Sequence, residues 1–380
     1  MKTVEILEKL VAFDTTSAKS NLALIDFVEG YLTTRGFRTH RVTAPCGEKA
    51  GLFCAYGPQG AGVMLSAHTD VVPATGQTWT RPPFELTRED GRLYGRGTTD
   101  MKGYLAAMLN AADRATKLDL QEPLKLAISY DEEIGCVGMQ HMIDQLAPTI
   151  GLPRACLVGE PTSMQVATGH KGKAALRAIC HGASGHSALA PLFTNALHIA
   201  TDFVTALRGI QTDLTAHGAL DPAYRIPFST VHVGQIKGGE ALNIVPDRAE
   251  VLFEFRYLAA DGYEVLHRRI VAAAAEVANH YKAQNADAGI TLIVENAYPG
   301  LDVDPDADVV AWSNGLAQKN LATKVAFGTE AGFFDGVGIP TVVCGPGNME
   351  AQGHKADEFV DESELAACDA MLERLLDKMC

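Results

Sequence analysis

Apolar positions change period several times along the chain, and each change predicts an element. Thr3 to Val11 and Asn21 to Arg35 carry apolar residues at helical spacing, the second through Leu24, Phe27, Val28 and Tyr31 or Leu32, until Gly36 breaks the repeat. LFCAYGP and AGVMLSAHTD then read as strands divided by Gly-Pro and Gly, and the second is apolar on both faces, as an interior strand is. His68 and Asp70 stand where that strand runs out. Helical composition returns from Asp100 to Asp113, LKLAISYDEE is a strand ending in consecutive acids, and ACLVGEP repeats that arrangement. Three apolar strands ending in charged residues, with helices between them, predict an α/β sheet with a site at the strand ends.

From Lys173 the texture differs. KAALRAICHGA is strand-like, Pro191 to Asp213 and Gly262 to Lys282 read as long helices, and VHVGQIKGG leads into the strand AEVLFEFRYL. These elements suffice for a small α+β domain inserted into the larger one. IPTVVCGPG and a helix from Ser363 to Lys378 return the chain to the first domain. The expected organisation is a discontinuous domain, 1–172 and 284–380, interrupted by a domain at 173–283.

Composition narrows the function classes. A chain of 380 residues, 47% apolar and 21% charged, is globular material for two domains at about 150 residues each. Its 32 basic against 46 acidic side chains give a formal charge of -14, which disfavours a nucleic-acid groove or an anionic membrane as partner. No apolar run approaches the roughly 20 residues of a membrane span, and MKTVEILEKL is unlike a secretory signal, so a cytoplasmic location is expected. Eight cysteines without a CxxC pair fit reduced thiols and exclude a cysteine zinc knuckle. Phosphate-loop, dinucleotide and nucleophile-elbow motifs are absent.

The chemistry-bearing residues are His68, Asp70, Asp100, Glu132, Glu133, Glu160 and His354, each beside glycine, proline or turn residues. Mixed imidazole and carboxylate donors suit Zn²⁺, Co²⁺ or Mn²⁺. Paired acids after an apolar strand repel each other if both are ionised and buried. Either they face solvent, or one binds a cation while the other manages a proton.

AHTDVVP, GRGTTDMKG, DEEIG, GEPT and GHKADE, in this order between residues 67 and 358, resemble the signature of the M20 family of dinuclear-zinc amidohydrolases and peptidases. The resemblance implies a zinc-peptidase-like catalytic domain with a central mixed sheet flanked by helices, and an inserted α+β lid and dimerisation domain. It implies two divalent ions, Zn²⁺ or Co²⁺: His68 and Glu160 would hold one, Glu133 and His354 the other, and Asp100 would bridge them. Asp70 would orient His68, and Glu132 would be the general base and acid. Two cations about 3.5 Å apart would acidify a water and polarise an amide carbonyl.

The same resemblance gives His186, in GASGHSALA, the role of stabilising the oxyanion, reached from the neighbouring subunit of a homodimer. Asn243, Arg256 and, more weakly, Lys171 would anchor a substrate carboxylate. Thr329 falls in a pocket segment, and Glu330 is a candidate partner for a cationic substrate side chain. The segments from PAYRIPF to FEFR and FGTEAGFFDGVGIPTVVCGPG are most similar to the branch of the family that deacetylates N2-acetyl-L-ornithine in arginine biosynthesis. A succinyl-diaminopimelate desuccinylase, another N-acyl-amino-acid amidohydrolase, and an inactive metal-binding interaction protein are the alternatives.

Overall fold

Four strands with no exposed residue lie side by side in the order Leu124–Ser129, Val63–His68, Ala155–Pro161, Thr341–Gly345, all parallel. Their near-continuous apolar sequences follow from burial on both faces. Leu65, Ala67, Leu126, Ile128 and Leu157 pack on one side with the helices Thr3–Val11, Gly103–Ala115 and Glu362–Asp377. Met64, Ala127, Cys156, Val158 and Val343 pack on the other with the helices Val137–Ile150 and Ala331–Gly336. Ala50–Tyr56 and Arg38–Thr43 extend the sheet antiparallel at one end, so the nine-stranded sheet is mixed, as expected.

This computed structural model describes residues 1–380 and divides them into two compact units. The larger comprises 1–169, 301–325 and 329–380, and the smaller 170–300 with 326–328. The smaller holds a four-stranded antiparallel sheet ordered Thr230–Gly238, Arg248–Tyr257, Gly172–His181, Gly289–Tyr298. Gly172–His181 alternates buried with half-buried residues, and its buried set packs with the helices Ala196–His217 and Tyr263–Tyr281. One face is therefore covered and the other carries charge.

Three readings of the sequence require correction. The strand Gly289–Tyr298 pairs with Gly172–His181, which moves the second boundary from 284 to 301. The helix expected from Pro191 starts instead at Ala196, where the side chain of Asn195 accepts the amide of Leu197 at 2.9 Å, and Pro191 lies in a preceding 3₁₀ turn. Asp100 lies ahead of its helix in extended conformation, at φ -124° and ψ 95°, and the regular helix starts at Gly103.

Candidate metal centre

The parallel strands discharge their charged residues at one edge of the sheet. His68 closes Val63–His68, Asp131 to Glu133 follow Leu124–Ser129, Glu160 lies near the end of Ala155–Pro161, and His354 follows Thr341–Gly345. Parallel alignment is what gathers residues from distant parts of the chain, since their carboxyl ends must face the same way. Asp100 arrives from the turn before Gly103–Ala115. That turn needs Gly97, whose φ of 83° is left-handed and whose missing Cβ would meet Val71 at 2.7 Å.

Asp100 stands between the two imidazoles: Oδ1 is 3.0 Å from His68 Nε2 and Oδ2 is 3.0 Å from His354 Nε2. Glu160 Oε1 is 3.7 Å from His68 Nε2, and Glu133 Oε2 is 2.9 Å from His354 Nε2. Ligand atoms of His68, Glu132 and Glu160 lie within 4.8 Å of one another, as do those of His68, Asp100 and Glu133. The sequence-derived ligands thus converge, with Asp100 in the bridging place.

Asp70 acts differently from the expectation. His68 Nδ1–H donates to the backbone carbonyl of Asp70 at 3.0 Å, whereas the nearer carboxylate oxygen is 3.5 Å away. That carboxylate accepts the amide of Glu132 at 3.0 Å, the amide of Glu133 at 3.2 Å and the Ser17 hydroxyl at 2.7 Å. The carbonyl therefore sets the tautomer, turning Nε2 toward Asp100, while the carboxylate holds the turn that carries both glutamates.

Proton affinities record how crowded the acids are. Desolvation, with the charge of Asp100 added, pushes Glu133 up to about 7, and desolvation drives Glu132 and Glu160 well above the usual carboxylate range. Burial opposes the His68 imidazolium, but its bond to Asp100, with the nearby Asp70 carboxylate added, carries its pKa well above normal. Hydrogen bonds to Asp100 and Glu133 raise His354 to about 10. Glu133 Oε1 is buried with no donor. A pocket of acceptors, with an orphaned oxygen and two Nε2 atoms turned inward, has the donor chemistry of a divalent-cation site. His68, Glu160 and Asp100 would hold one ion, and His354, Glu133 and Asp100 the other.

A profile of Peptidase family M20/M25/M40 matches residues 64–378. The chain belongs to this family. Acetylornithine deacetylase of Myxococcus xanthus is 32% identical over 380 residues, covering 98% of this chain and 96% of that protein. Among solved structures, an M20 family metallo-carboxypeptidase from Sulfolobus solfataricus superposes with a TM-score of 0.78 at 17% identity, covering 99% and 98% of the two chains. A dinuclear metal-binding M20 peptidase of Bacillus subtilis gives a TM-score of 0.65 at 14% identity, covering 99% and 97%. The protein is thus an M20 hydrolase with the fold of those structures. No helix is long and apolar enough to cross a membrane.

The other site candidates of this M20 chain are less uniform. Thr329 is fully buried and its hydroxyl accepts the amide of Ala331 at 3.0 Å, so it braces the turn ahead of a short helix and offers a substrate no surface. Glu330 is 2% exposed and accepts the Ser129 hydroxyl at 2.8 Å, which likewise closes it to direct contact. In the smaller unit, Lys171 Nζ donates to the carbonyls of Ile226 and Phe228, so this cation braces a loop. Arg256 Nε donates to Glu254 at 3.0 Å, while Asn243 is exposed. His186 is exposed and its Nδ1 accepts the amide of Ala188 at 3.0 Å, pairing through Gly185–His186 with Ile244–Val245.

Sequence reasoning missed Arg96, Gln77, Ser17 and Glu358 around the centre. Arg96 and Glu358 occur inside GRGTTDMKG and GHKADE, which was the available signal, but each is one basic or acidic residue beside a more obvious ligand.

Proposed function

We propose that this M20 hydrolase deacetylates N2-acetyl-L-ornithine to L-ornithine and acetate, as a step of arginine biosynthesis. The observation that carries the reading is the convergence of His68, Asp100, Glu132, Glu133, Glu160 and His354 in a chain that matches acetylornithine deacetylase of Myxococcus xanthus nearly end to end. Two bound divalent ions, Zn²⁺ or Co²⁺, would supply an acidified water and a polarised amide carbonyl. Glu132 takes the proton from the attacking water and returns it to the departing nitrogen, which cannot leave as an amide anion near neutral pH. Its raised proton affinity suits the return step. Asp70 aims Glu132 by holding its amide, and His68 is held for coordination by the carbonyl of Asp70.

In this reading the smaller unit recognises substrate. Arg256 meets its carboxylate with help from Asn243, and the exposed His186 serves the oxyanion of the neighbouring subunit in a homodimer. The test is a panel of N2-acetyl-L-ornithine, succinyl-diaminopimelate and other N-acyl amino acids, compared by kcat/KM on metal-loaded protein. Acetylornithine is expected to lead by about tenfold or more, which corresponds to 1.4 kcal/mol of transition-state discrimination. A lead for the succinyl substrate would reassign the specificity, and no turnover of any amide by folded, metal-loaded protein would favour a binding role.

A further inference from the structure

Two loops supply the metal position shared by His354 and Asp100, and a buried ion pair ties them together. Arg96 and Glu358 are each 1% exposed, with Nη1 and Oε2 2.6 Å apart. The Glu358 carboxylate also accepts three amides of the Asp100 turn region: Gly97 at 3.0 Å on Oε2, and Thr99 at 2.9 Å and Asp100 at 3.1 Å on Oε1. A buried carboxylate with four donors is fully used, and its acceptors fix where the Asp100 backbone lies.

The guanidinium of Arg96 reaches in the other direction as well. Its Nη2 donates to Gln77 Oε1, and Gln77 Nε2 donates to the backbone carbonyl of His354 at 2.9 Å. Trp79 Nε1 donates to the same Gln77 oxygen at 3.2 Å, which leaves the amide little freedom to flip. His354 itself has a left-handed backbone at φ 59°, which a non-glycine residue keeps only when its surroundings hold it. One arginine therefore reaches the amides ahead of Asp100 through Glu358, and the carbonyl of His354 through Gln77. No such link runs to Glu160.

We propose that Gln77, Arg96 and Glu358 are positioning residues that set the spacing of Asp100 and His354, and thereby the affinity of the metal position these two share with Glu133. The inference rests on the two-position reading of the centre. Outer groups that orient metal ligands are worth about 10- to 100-fold in affinity; Gln77, which holds the His354 carbonyl, acts on that one position, whereas Glu358, which holds the Asp100 backbone, acts on both.

Cobalt(II) titration of the metal-stripped full-length chain, followed by calorimetry and visible absorption, tests this. Wild type takes up two ions, and His68→Ala and His354→Ala assign the two steps by deleting one imidazole each. Gln77→Ala, at a half-exposed residue, is expected to weaken the His354 step by about tenfold or more. The His68 step, its absorption spectrum and the melting temperature of the metal-free protein stay unchanged. Glu358→Gln, which removes charge but little volume, is expected to weaken both steps, because Glu358 holds the Asp100 that both positions share. Wild-type affinity at both steps in Gln77→Ala would overturn the inference, and so would equal weakening of both steps in that variant, the mark of general loosening. Uptake of a single ion by wild type would defeat the two-position reading, and the inference with it.

Discussion

The two sheets treat their charged residues in opposite ways. On the open face of the smaller unit's sheet, Arg177 pairs with Glu250 and Glu295 at 2.9 and 2.6 Å, and Glu254 pairs with Lys173 and Arg256 at 3.0 Å each. Acid and base balance locally, in antiparallel strands with one wetted side. At the strand ends of the larger unit, the acids outnumber their partners. Glu133 Oε1 and Glu330 Oε1 are buried without a donor, and the two imidazoles both lean on Asp100. Charges that satisfy one another are a finished surface, whereas buried acceptors with nothing to accept point to a cation from outside.

The sharpest way to test that contrast is to remove proton chemistry while leaving the cation site intact. Glu132→Gln keeps the shape and the amide that Asp70 holds, but offers no carboxylate to take a proton. Turnover of the best substrate is expected to fall by about 10²- to 10⁴-fold with metal content unchanged. Metal analysis beside steady-state kinetics checks both halves. Wild-type turnover would remove Glu132 from the role of base, and loss of metal would make it a ligand instead.

What the sequence disclosed follows the same division. Strands buried on both faces are legible as unbroken apolar runs, and the residues that end them are legible as charge after apolarity, so His68, Glu132, Glu133 and Glu160 were found from local pattern. The conformation at Asp100 was not. The stretch from Asp100 has helical composition, but Glu358, distant in sequence, holds the Asp100 amide and keeps it extended ahead of the helix. GITLIVENAY lies beyond the expected boundary at 284, and nothing local says which sheet it joins, because its partner Gly172–His181 is chosen by long-range packing. Thr329 was placed in a pocket segment by the family resemblance and Glu330 by its charge, and burial, which the sequence does not print, closes both. The family signature picked out residues that lie together at the strand ends, but not the residues that support them, since a support can be any residue type that reaches.

A second contrast concerns two buried histidines. His68 is 0% exposed and His170 is 1% exposed, but their proton affinities move apart. Carboxylates around His68 overcome burial and raise its pKa, whereas His170 has only the carbonyl of Lys171 at 3.2 Å on Nδ1 and no partner on Nε2. Burial, with the charge of Arg256 beside it, pushes His170 down to about 4. A folded pKa below the unfolded value of 6.5 means that the unfolded chain binds more protons between pH 4 and 6.5. Stability from this group is therefore full above pH 6.5 and is lost as pH falls toward 4, by about 3 kcal/mol across the window. Imidazole resonances of the metal-free protein are expected to show His170 neutral at pH 5, and His170→Gln to lose less stability than wild type between pH 7 and pH 4.5. A resonance titrating near pH 6.5 would place His170 in a polar or charged environment and erase the contrast.

The smallest expected effect lies on the open face. Arg177 makes two ion pairs, at distances no longer than those of the imidazoles of the centre. Exposed pairs gain little, because water solvates each member almost as well and the side chains lose freedom in meeting. Arg177→Met keeps the aliphatic stem on the sheet and removes the charge, so the denaturation midpoint and the cobalt titration are both expected to match wild type in moderate salt. Raising the salt concentration distinguishes the regions further: screening weakens the Arg177 pairs in wild type, while the buried Arg96–Glu358 contact is shielded from it. A marked loss of stability in Arg177→Met, suppressed by salt, would show that the smaller sheet depends on its charged face. Partnered charge in that unit would then be a folding device, rather than the finished surface its geometry describes.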